Sequence, residues 1–342
     1  TELYVTPEEA MAVIPRIPTL YDEPFADPSQ IPTFLVSQLA RRDVTVSLSG
    51  DGGDELFEGY STYLWGLRAW NQIERIPRSL RALSGKGLTL LSSEAWESLF
   101  RMIEPIVPKR LRQRNLGSKF RAIAGLLPAE SAEALYQAIL THWEAPGSLV
   151  IGASEPLTPL TDRTQWGNFP DLLRRMMYND ALMYLPDDIL VKVDRAGMGV
   201  GLETRVPLLD HRVVEFAWQL PDSMKIRDGR GKWILRQVLS RYVPSALIDR
   251  PKMGFGVPIG AWIRGPLKEW AEALLDEKRL KNQGLLNPAP IRGLWGEHLS
   301  GKSDWNIPLW DALMFQAWLE HEQQTMLDET LGEAALEAAT RQ

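Results

Sequence analysis

Three acidic residues set among three glycines, in Ser49-Gly50-Asp51-Gly52-Gly53-Asp54-Glu55, form the stretch of this chain best suited to chemistry. Gly50, Gly52 and Gly53 permit positive φ and leave backbone N–H groups unobstructed, so the loop can fold into a concave nest for an anion such as phosphate. Asp51, Asp54 and Glu55 would repel a bare phosphate, so the nest needs a divalent cation or a cationic group beside it. Mg-nucleotide chemistry meets that requirement. The same residues also fit a solvated turn before a helix whose first turn favours Asp54 and Glu55. The loop alone leaves both readings open.

Two later stretches add charge. Between Tyr184 and Asp210, the residues Lys192, Asp194, Arg195, Glu203 and Arg205 lie among apolar residues and Gly or Ala spacers. Charges in an apolar frame are costly unless paired or bound to a ligand. They fit either an internal ion-pair network, such as Glu203 with Arg205 or Asp194 with Lys192, or a cleft wall facing phosphates and a substrate carboxylate. In Arg250-Pro-Lys-Met-Gly-Phe-Gly-Val-Pro258, Gly254 and Gly256 make a loop that can carry Lys252 onto an anion as it closes. A further stretch, Gly296 to Ser303, satisfies the Walker A spacing. It has no strand before it, and Ile291, Leu294, Trp295, His298 and Leu299 have helical spacing, so Gly301 reads as the residue just past a helix end.

The elements that would position these residues begin with a strand. Val44, Val46 and Leu48 alternate with Thr45 and Ser47, and the glycines stop the pattern at Leu48. Upstream, Thr6 caps a helix through Pro7, Glu8 and Glu9 to about Ile14, and Pro15, Pro18 and Pro24 break the following stretch into an irregular loop. Pro28-Ser29 opens a second helix with Ile31, Phe34, Leu35 and Leu39 on one face, ending at Arg41-Arg42-Asp43. Helix, buried strand and helix make half of a doubly wound α/β unit. A parallel strand cannot stand alone. With one such unit visible, its neighbours are expected elsewhere, the first hint of residues missing before Thr1. From Tyr60 onward the pattern is helical; residues 78–150 read as a helical lobe, Asp210 as the cap of a helix through Val213, Val214, Phe216 and Ala217, and residues 323–342 as a frayed helix or disordered tail.

Composition narrows the function classes. The 342 residues are 44% hydrophobic and 24% charged, ordinary for a soluble globular chain. A formal net charge of −6 speaks against nonspecific binding to nucleic acid or anionic membrane. No apolar run approaches the ~20 residues of a membrane span, and the expected location is the cytoplasm. The chain has no cysteine, which removes thiolate metal sites and a cysteine nucleophile from these residues. His142, His211, His298 and His321 lack metal-ligand spacing, and the 13 tryptophans are scattered in the manner of packing residues.

With Phe57, Gly59 and Tyr60 following the glycine loop, the sequence resembles the synthetase domain of glutamine-dependent asparagine synthetases. The resemblance continues through Tyr184-Leu-Pro-Asp-Asp188, Lys192-Val-Asp-Arg195, Leu202 to His211 and Arg250 to Pro258, and covers most of residues 1–320. It implies an α/β fold of the ATP-pyrophosphatase type (adenine nucleotide α-hydrolase-like), with an incomplete parallel sheet and a large, mostly helical remainder. It implies one domain over residues 1–322 and a tail over 323–342. The implied reaction uses ATP and Mg2+ to convert the aspartate side-chain carboxylate to β-aspartyl-AMP, which ammonia released from glutamine then attacks. Carried over, Ser49, Gly50 and Gly52 bind the nucleotide, Asp51 serves formation of the acyl-adenylate, Asp54 is a magnesium ligand, and Lys252 offsets charge on the α-phosphate and departing pyrophosphate. Arg195 is expected to bind the amino-acid carboxylate or order the cleft on its charge alone.

Departures accompany the resemblance. The family's glutaminase domain, with its N-terminal cysteine, and its Ser-Gly-Gly-x-Asp-Ser nucleotide loop are both absent from these residues, so this chain is expected to be impaired in ATP chemistry by itself. Glu58 stands where many relatives have Gly. Partners are expected to be aspartate, ammonia or glutamine and the glutaminase domain of the same longer chain, with a homodimer as a further expectation. β-Lactam synthetases and cell-surface polysaccharide amidotransferases look like the same domain, so another acceptor carboxylate stays open, as does a non-catalytic helical interaction module.

Overall fold

A computed structural model describes residues 4–81, 84, 125–143, 145–169, 171–248 and 254–340. They form a mostly helical α/β structure with one small parallel sheet. The first helix, α1 (Pro7–Met11), starts as its sequence dictates: Thr6 accepts from the Glu9 N–H, and Glu9 reaches back to the Thr6 N–H, closing a capping box. The proline-rich stretch after it is more regular than an irregular loop, since Ile14–Thr19 winds as a short 3₁₀ helix that accommodates both Pro15 and Pro18. Helix α2 (Gln30–Arg41) buries Ile31 and Phe34.

Strand β1 (Val46–Leu48) pairs in parallel with β2 (Glu203–Arg205), matching Val46 with Glu203, Ser47 with Thr204 and Leu48 with Arg205. The neighbour of the strand therefore comes from within this chain, at residues that sequence patterning left unassigned. A second correction concerns burial. Val44, Val46 and Leu48 are exposed, Leu48 to 74%, so β1 is not a buried strand among the described residues.

The main core lies among helices. Ile31 and Phe34 of α2 pack with Ile263, Trp295, Leu309, Trp310 and Leu313, all at most 1% exposed. The first part of the 35-residue helix Asn306–Thr340 closes this core, and the helix continues through residues that the sequence suggested were frayed or disordered. At the false Walker A stretch, Pro288–Leu299 is helical with Ser300 as its cap, and Gly301 has a φ of 76°. His298 is fully buried, accepting from the Trp305 N–H and reaching the Gly260 carbonyl, which is a packing role.

A rod runs from Leu172 to Met198: an α-helix over Leu172–Asn179, wider π-type turns over Asp180–Leu190, then α-helix Val191–Met198. Pro186 sits inside the wide stretch, where its lack of an N–H is tolerated. Buried Asp180 accepts from Tyr63 Oη at 2.6 Å and from Tyr136 Oη, which joins the rod to α4 (Ser61–Ile73) and to helix Ala132–Leu140.

Between α3 (Gly53–Leu56) and α4, Glu58 adopts a left-handed φ of 57° and is 1% exposed, with no hydrogen-bond partner for either carboxylate oxygen. Glycine would enter that backbone region without strain, whereas a glutamate there is held by its surroundings. Burial pushes the Glu58 carboxyl up to about 7; the Lys225 ammonium opposes this, Asp222 and Asp171 reinforce it, and Arg174 opposes it. Because the folded value lies above the ordinary 4.5, the folded chain retains a proton that the unfolded chain releases between these two pH values, and stability falls as pH rises across them. Glu58→Gln removes that slope. In urea unfolding at about pH 5 and about pH 8, the difference between variant and native chain should move in the variant's favour by about 2–3 kcal/mol; parallel pH profiles would contradict it.

Candidate active site

The glycine loop leaves the carboxyl end of β1, the position at which open parallel sheets hold ligands. Its entry is fixed by the Ser49 N–H, which donates to the Arg205 carbonyl at 2.9 Å and prolongs the ladder by one bond. Gly52 then takes φ 78°, and the residues after β2 form the surface beneath it. A Cβ on Gly52 would lie 2.4 Å from Leu209 Cδ2, and one on Gly53 3.0 Å from Leu208 Cδ1. Both the backbone angle and the close approach require glycine at Gly52. Gly50 is exposed, with open space where a Cβ would be.

Each loop acid has a partner of its own. Asp51 Oδ2 accepts from Ser49 Oγ at 2.5 Å, and Glu55 Oε1 accepts from Tyr60 Oη at 2.5 Å. Asp54 Oδ2 lies 2.9 Å from Lys232 Nζ, with both side chains about a quarter exposed. Glu55 is 1% exposed, and burial raises its carboxyl above the usual range although the Tyr60 hydroxyl pulls the other way. Burial raises the Tyr60 hydroxyl well above its ordinary value, with the Glu55 charge adding to it, so Tyr60 stays a neutral donor.

Lys232 escaped sequence reasoning because it lies 178 residues beyond Asp54, outside every motif. One signal was present: Asp228-Gly229, a pair suited to a tight hairpin turn. Both residues have positive φ, and Arg227 and Arg230 exchange backbone hydrogen bonds across them. The chain leaves this turn through Gly231, where a Cβ would meet the Glu58 carbonyl oxygen at 2.0 Å, and the Lys232 N–H donates to the Phe57 carbonyl.

The charged motif along the rod is partly a paired network. Lys192 is buried and bonds Asp27 Oδ2 at 2.5 Å, with Asp188 Oδ1 at 3.6 Å; its partner is not Asp194. Burial works against the Asp27 charge, but the Lys192 ammonium and the Ser29 hydrogen bonds prevail and hold Asp27 below its usual value. Burial and the nearby Asp27 charge push Asp188 up to about 7. Arg195 pairs with Asp22 and is not engaged with a loop acid. Glu203 and Arg205 do pair, at 2.8 Å, but both are more than half exposed and so lie outside any apolar frame. Thus Ser49, Gly50, Asp51, Gly52 and Asp54 converge, while Arg195 turns to the segment before α2. Lys252 lies outside the described residues.

Among the described residues no cluster of three His, Cys, Asp or Glu side chains is placed to hold a metal ion, so a cation caged by protein alone has no site there. Mg2+ often takes only one or two carboxylates and completes its octahedron with water and substrate phosphates. Asp54 is partly exposed, with Oδ1 against Gly59 and Oδ2 facing Lys232, so it could offer a metal one carboxylate at most. Among the described residues, no helix is long and apolar enough to cross a membrane.

Comparison with known proteins agrees with the family resemblance. The family model "Asparagine synthase" matches residues 1–320. Asparagine synthetase [glutamine-hydrolyzing] 1 of Bacillus subtilis is 30% identical over 323 residues, covering 92% of this chain and 46% of that protein. Asparagine synthetase [glutamine-hydrolyzing] 3 of the same organism is 26% identical over 239 residues, 70% of this chain and 30% of that protein. The human asparagine synthetase [glutamine-hydrolyzing] is 30% identical over 144 residues, 37% of this chain and 25% of that protein. The chain thus spans less than half the length of these relatives. With the glycine loop at the end of a parallel strand and a match over nearly its whole length, this chain belongs to the asparagine synthase family.

Proposed function

We propose that this chain is the synthetase part of an enzyme that joins ammonia to the side-chain carboxyl of aspartate, forming the amide at the expense of ATP. The observation that carries the reading is the glycine loop at the carboxyl end of β1, with an exposed Gly50 and three separately partnered acids. In the reaction, an aspartate side-chain oxygen attacks the α-phosphorus of ATP, the bond to the bridging oxygen breaks, and pyrophosphate leaves. Ammonia then attacks the acyl carbon of β-aspartyl-AMP, loses a proton and expels AMP. The glutaminase that supplies ammonia, and the Ser-Gly-Gly-x-Asp-Ser loop that grips pyrophosphate, would lie in the length of the relatives that this chain does not match.

The chain's own groups divide the work. Backbone N–H groups of the loop, opened at Gly50 and Gly52, would hold phosphate oxygens. Ser49 orders Asp51, which would serve formation of the acyl-adenylate, and Tyr60 holds Glu55. Asp54 would hold Mg2+, which supplies positive charge opposite the departing pyrophosphate. Lys252 would do the same at the α-phosphate. For Arg195 the proposed role is to order the cleft rather than touch the carboxylate, given its pairing with Asp22. The exposed Val46 and Leu48 leave one face of β1 open to cover by a further element of an ATP-pyrophosphatase-type fold.

Magnesium-dependent ATP–pyrophosphate exchange with aspartate, in the complete protein that carries this chain, tests the reading. Asp51→Ala should reduce exchange by roughly 100-fold while costing only about 1 kcal/mol of stability, the value of one partly exposed hydrogen bond. Exchange that requires a different carboxylate would replace aspartate as acceptor; none with any carboxylate would refute acyl-adenylate chemistry. Glutamine use has a separate check. The 342 residues contain no cysteine, so incubated alone with glutamine they should release no ammonia. Release would show that glutaminase chemistry is carried here without a thiol.

A further inference from the structure

The loop's acids demand a cation, and the fold brings one from a distant part of the chain. Asp51 and Glu55 are held by hydroxyl groups, whereas Asp54 faces the ammonium of Lys232 at 2.9 Å. We propose that Lys232 is a positioning residue that holds Asp54 and competes with the divalent cation for it, thereby setting how much metal the loop requires. The inference rests on Asp54 as the metal ligand of the reaction proposed above.

Three features beyond the distance support it. First, room for the pair is made by a residue with no side chain. A Cβ on Gly59 would lie 2.0 Å from Asp54 Oδ1 and 2.2 Å from Lys232 Cε, so nothing larger than glycine fits between them. Gly53 borders the pair from the loop side, where a Cβ would stand at ordinary contact distance, 3.5 Å, from Nζ. Second, the lysine backbone is fixed independently of its charge. Its N–H is bonded to the Phe57 carbonyl, and it has a left-handed φ of 56°, a conformation that lysine enters only when its surroundings impose it. Third, Nζ lies on Oδ2, and both groups retain partial exposure, so the ammonium is not locked into the interior.

This arrangement has a direct electrostatic consequence. While the ammonium sits on Asp54, the carboxylate is ordered and the loop's net negative charge is reduced, which favours arrival of an anionic nucleotide. The same positive charge repels an incoming divalent cation. Removing it should leave Asp54 a better metal ligand by itself and the loop a poorer receptor for metal-free nucleotide.

The test uses Mn2+ alone as the probe, with binding followed by electron paramagnetic resonance on the complete protein carrying native, Lys232→Met, Lys232→Gln, Lys232→Arg or Asp54→Asn residues. Folding of each variant is checked by thermal melting. Lys232→Met and Lys232→Gln should bind Mn2+ about 10-fold more tightly than the native protein. Lys232→Arg should resemble the native protein, and adding Asp54→Asn should abolish the gain. In parallel, metal-free ATP followed by calorimetry should bind several-fold more weakly to Lys232→Met.

Unchanged Mn2+ affinity in both neutral variants would overturn the inference. So would a gain that survives Asp54→Asn, or no Mn2+ binding to any form. The two readings fail separately. Exchange activity without the Mn2+ shift removes the role of Lys232 alone, whereas the Mn2+ shift without exchange for any carboxylate removes the reaction and leaves the competition at Asp54 standing.

Discussion

The pairing of β1 with β2 is the constraint on which the candidate site depends. Three residues on each side suffice to place Ser49 beside the Arg205 carbonyl and to bring Leu208 and Leu209 beneath Gly53 and Gly52. Without that register the glycine loop would have no floor, because the side chains that limit its conformation come from the segment after β2. Parallel strands need a long crossover. Here the crossover includes α3, α4 and the rod from Leu172 to Met198, so the elements carrying Tyr60, Asp180 and Lys192 are all built between the two strands.

That layout explains how so many acids coexist in a small volume. Asp51, Asp54 and Glu55 follow one another within five residues, yet each is stabilised by a different kind of group: a near neighbour's hydroxyl, a distant ammonium and a half-buried phenol. Asp180 is handled in the same way by two tyrosines, and Asp27 and Asp188 share Lys192. Fixed dipoles and charges that need not reorganise when a substrate arrives are the means by which a site favours developing charge. The cost falls on Glu58, which lies buried without a hydrogen bond next to the loop.

Much of this was legible in the sequence wherever the signal was local. The Thr6 cap, the buried face of α2, the stop after Leu48, the Asp210 cap and the helical nature of the Gly296 stretch all follow from residues within a turn or two of one another. The motif order also pointed to the family over the residues that its model matches. What was not legible depended on distance. Glu203–Arg205 has too few residues to show a strand pattern, and it becomes one because β1 is there to pair with it. Lys192 chose Asp27 over its near neighbour Asp194, and Lys232 reached Asp54, through packing that no spacing encodes. Burial of β1 was misjudged for a related reason: alternation of Val44, Val46 and Leu48 marks a strand but does not say what covers its faces.

The separation of the two strands also bears on how the chain reaches this structure. Ser47 and Thr204, which face each other across the sheet, are 157 residues apart. Closing a loop of that length carries a large entropic cost before the few bonds of the ladder return anything, whereas the helices form from neighbouring residues. The expected order is therefore helices before sheet, with the glycine loop acquiring its floor last. A chain arrested just short of completion would have nearly all of its helical content, an unpaired β1 and a glycine loop without its floor. For such a chain, helical content measures how far folding has advanced, but not whether the site exists.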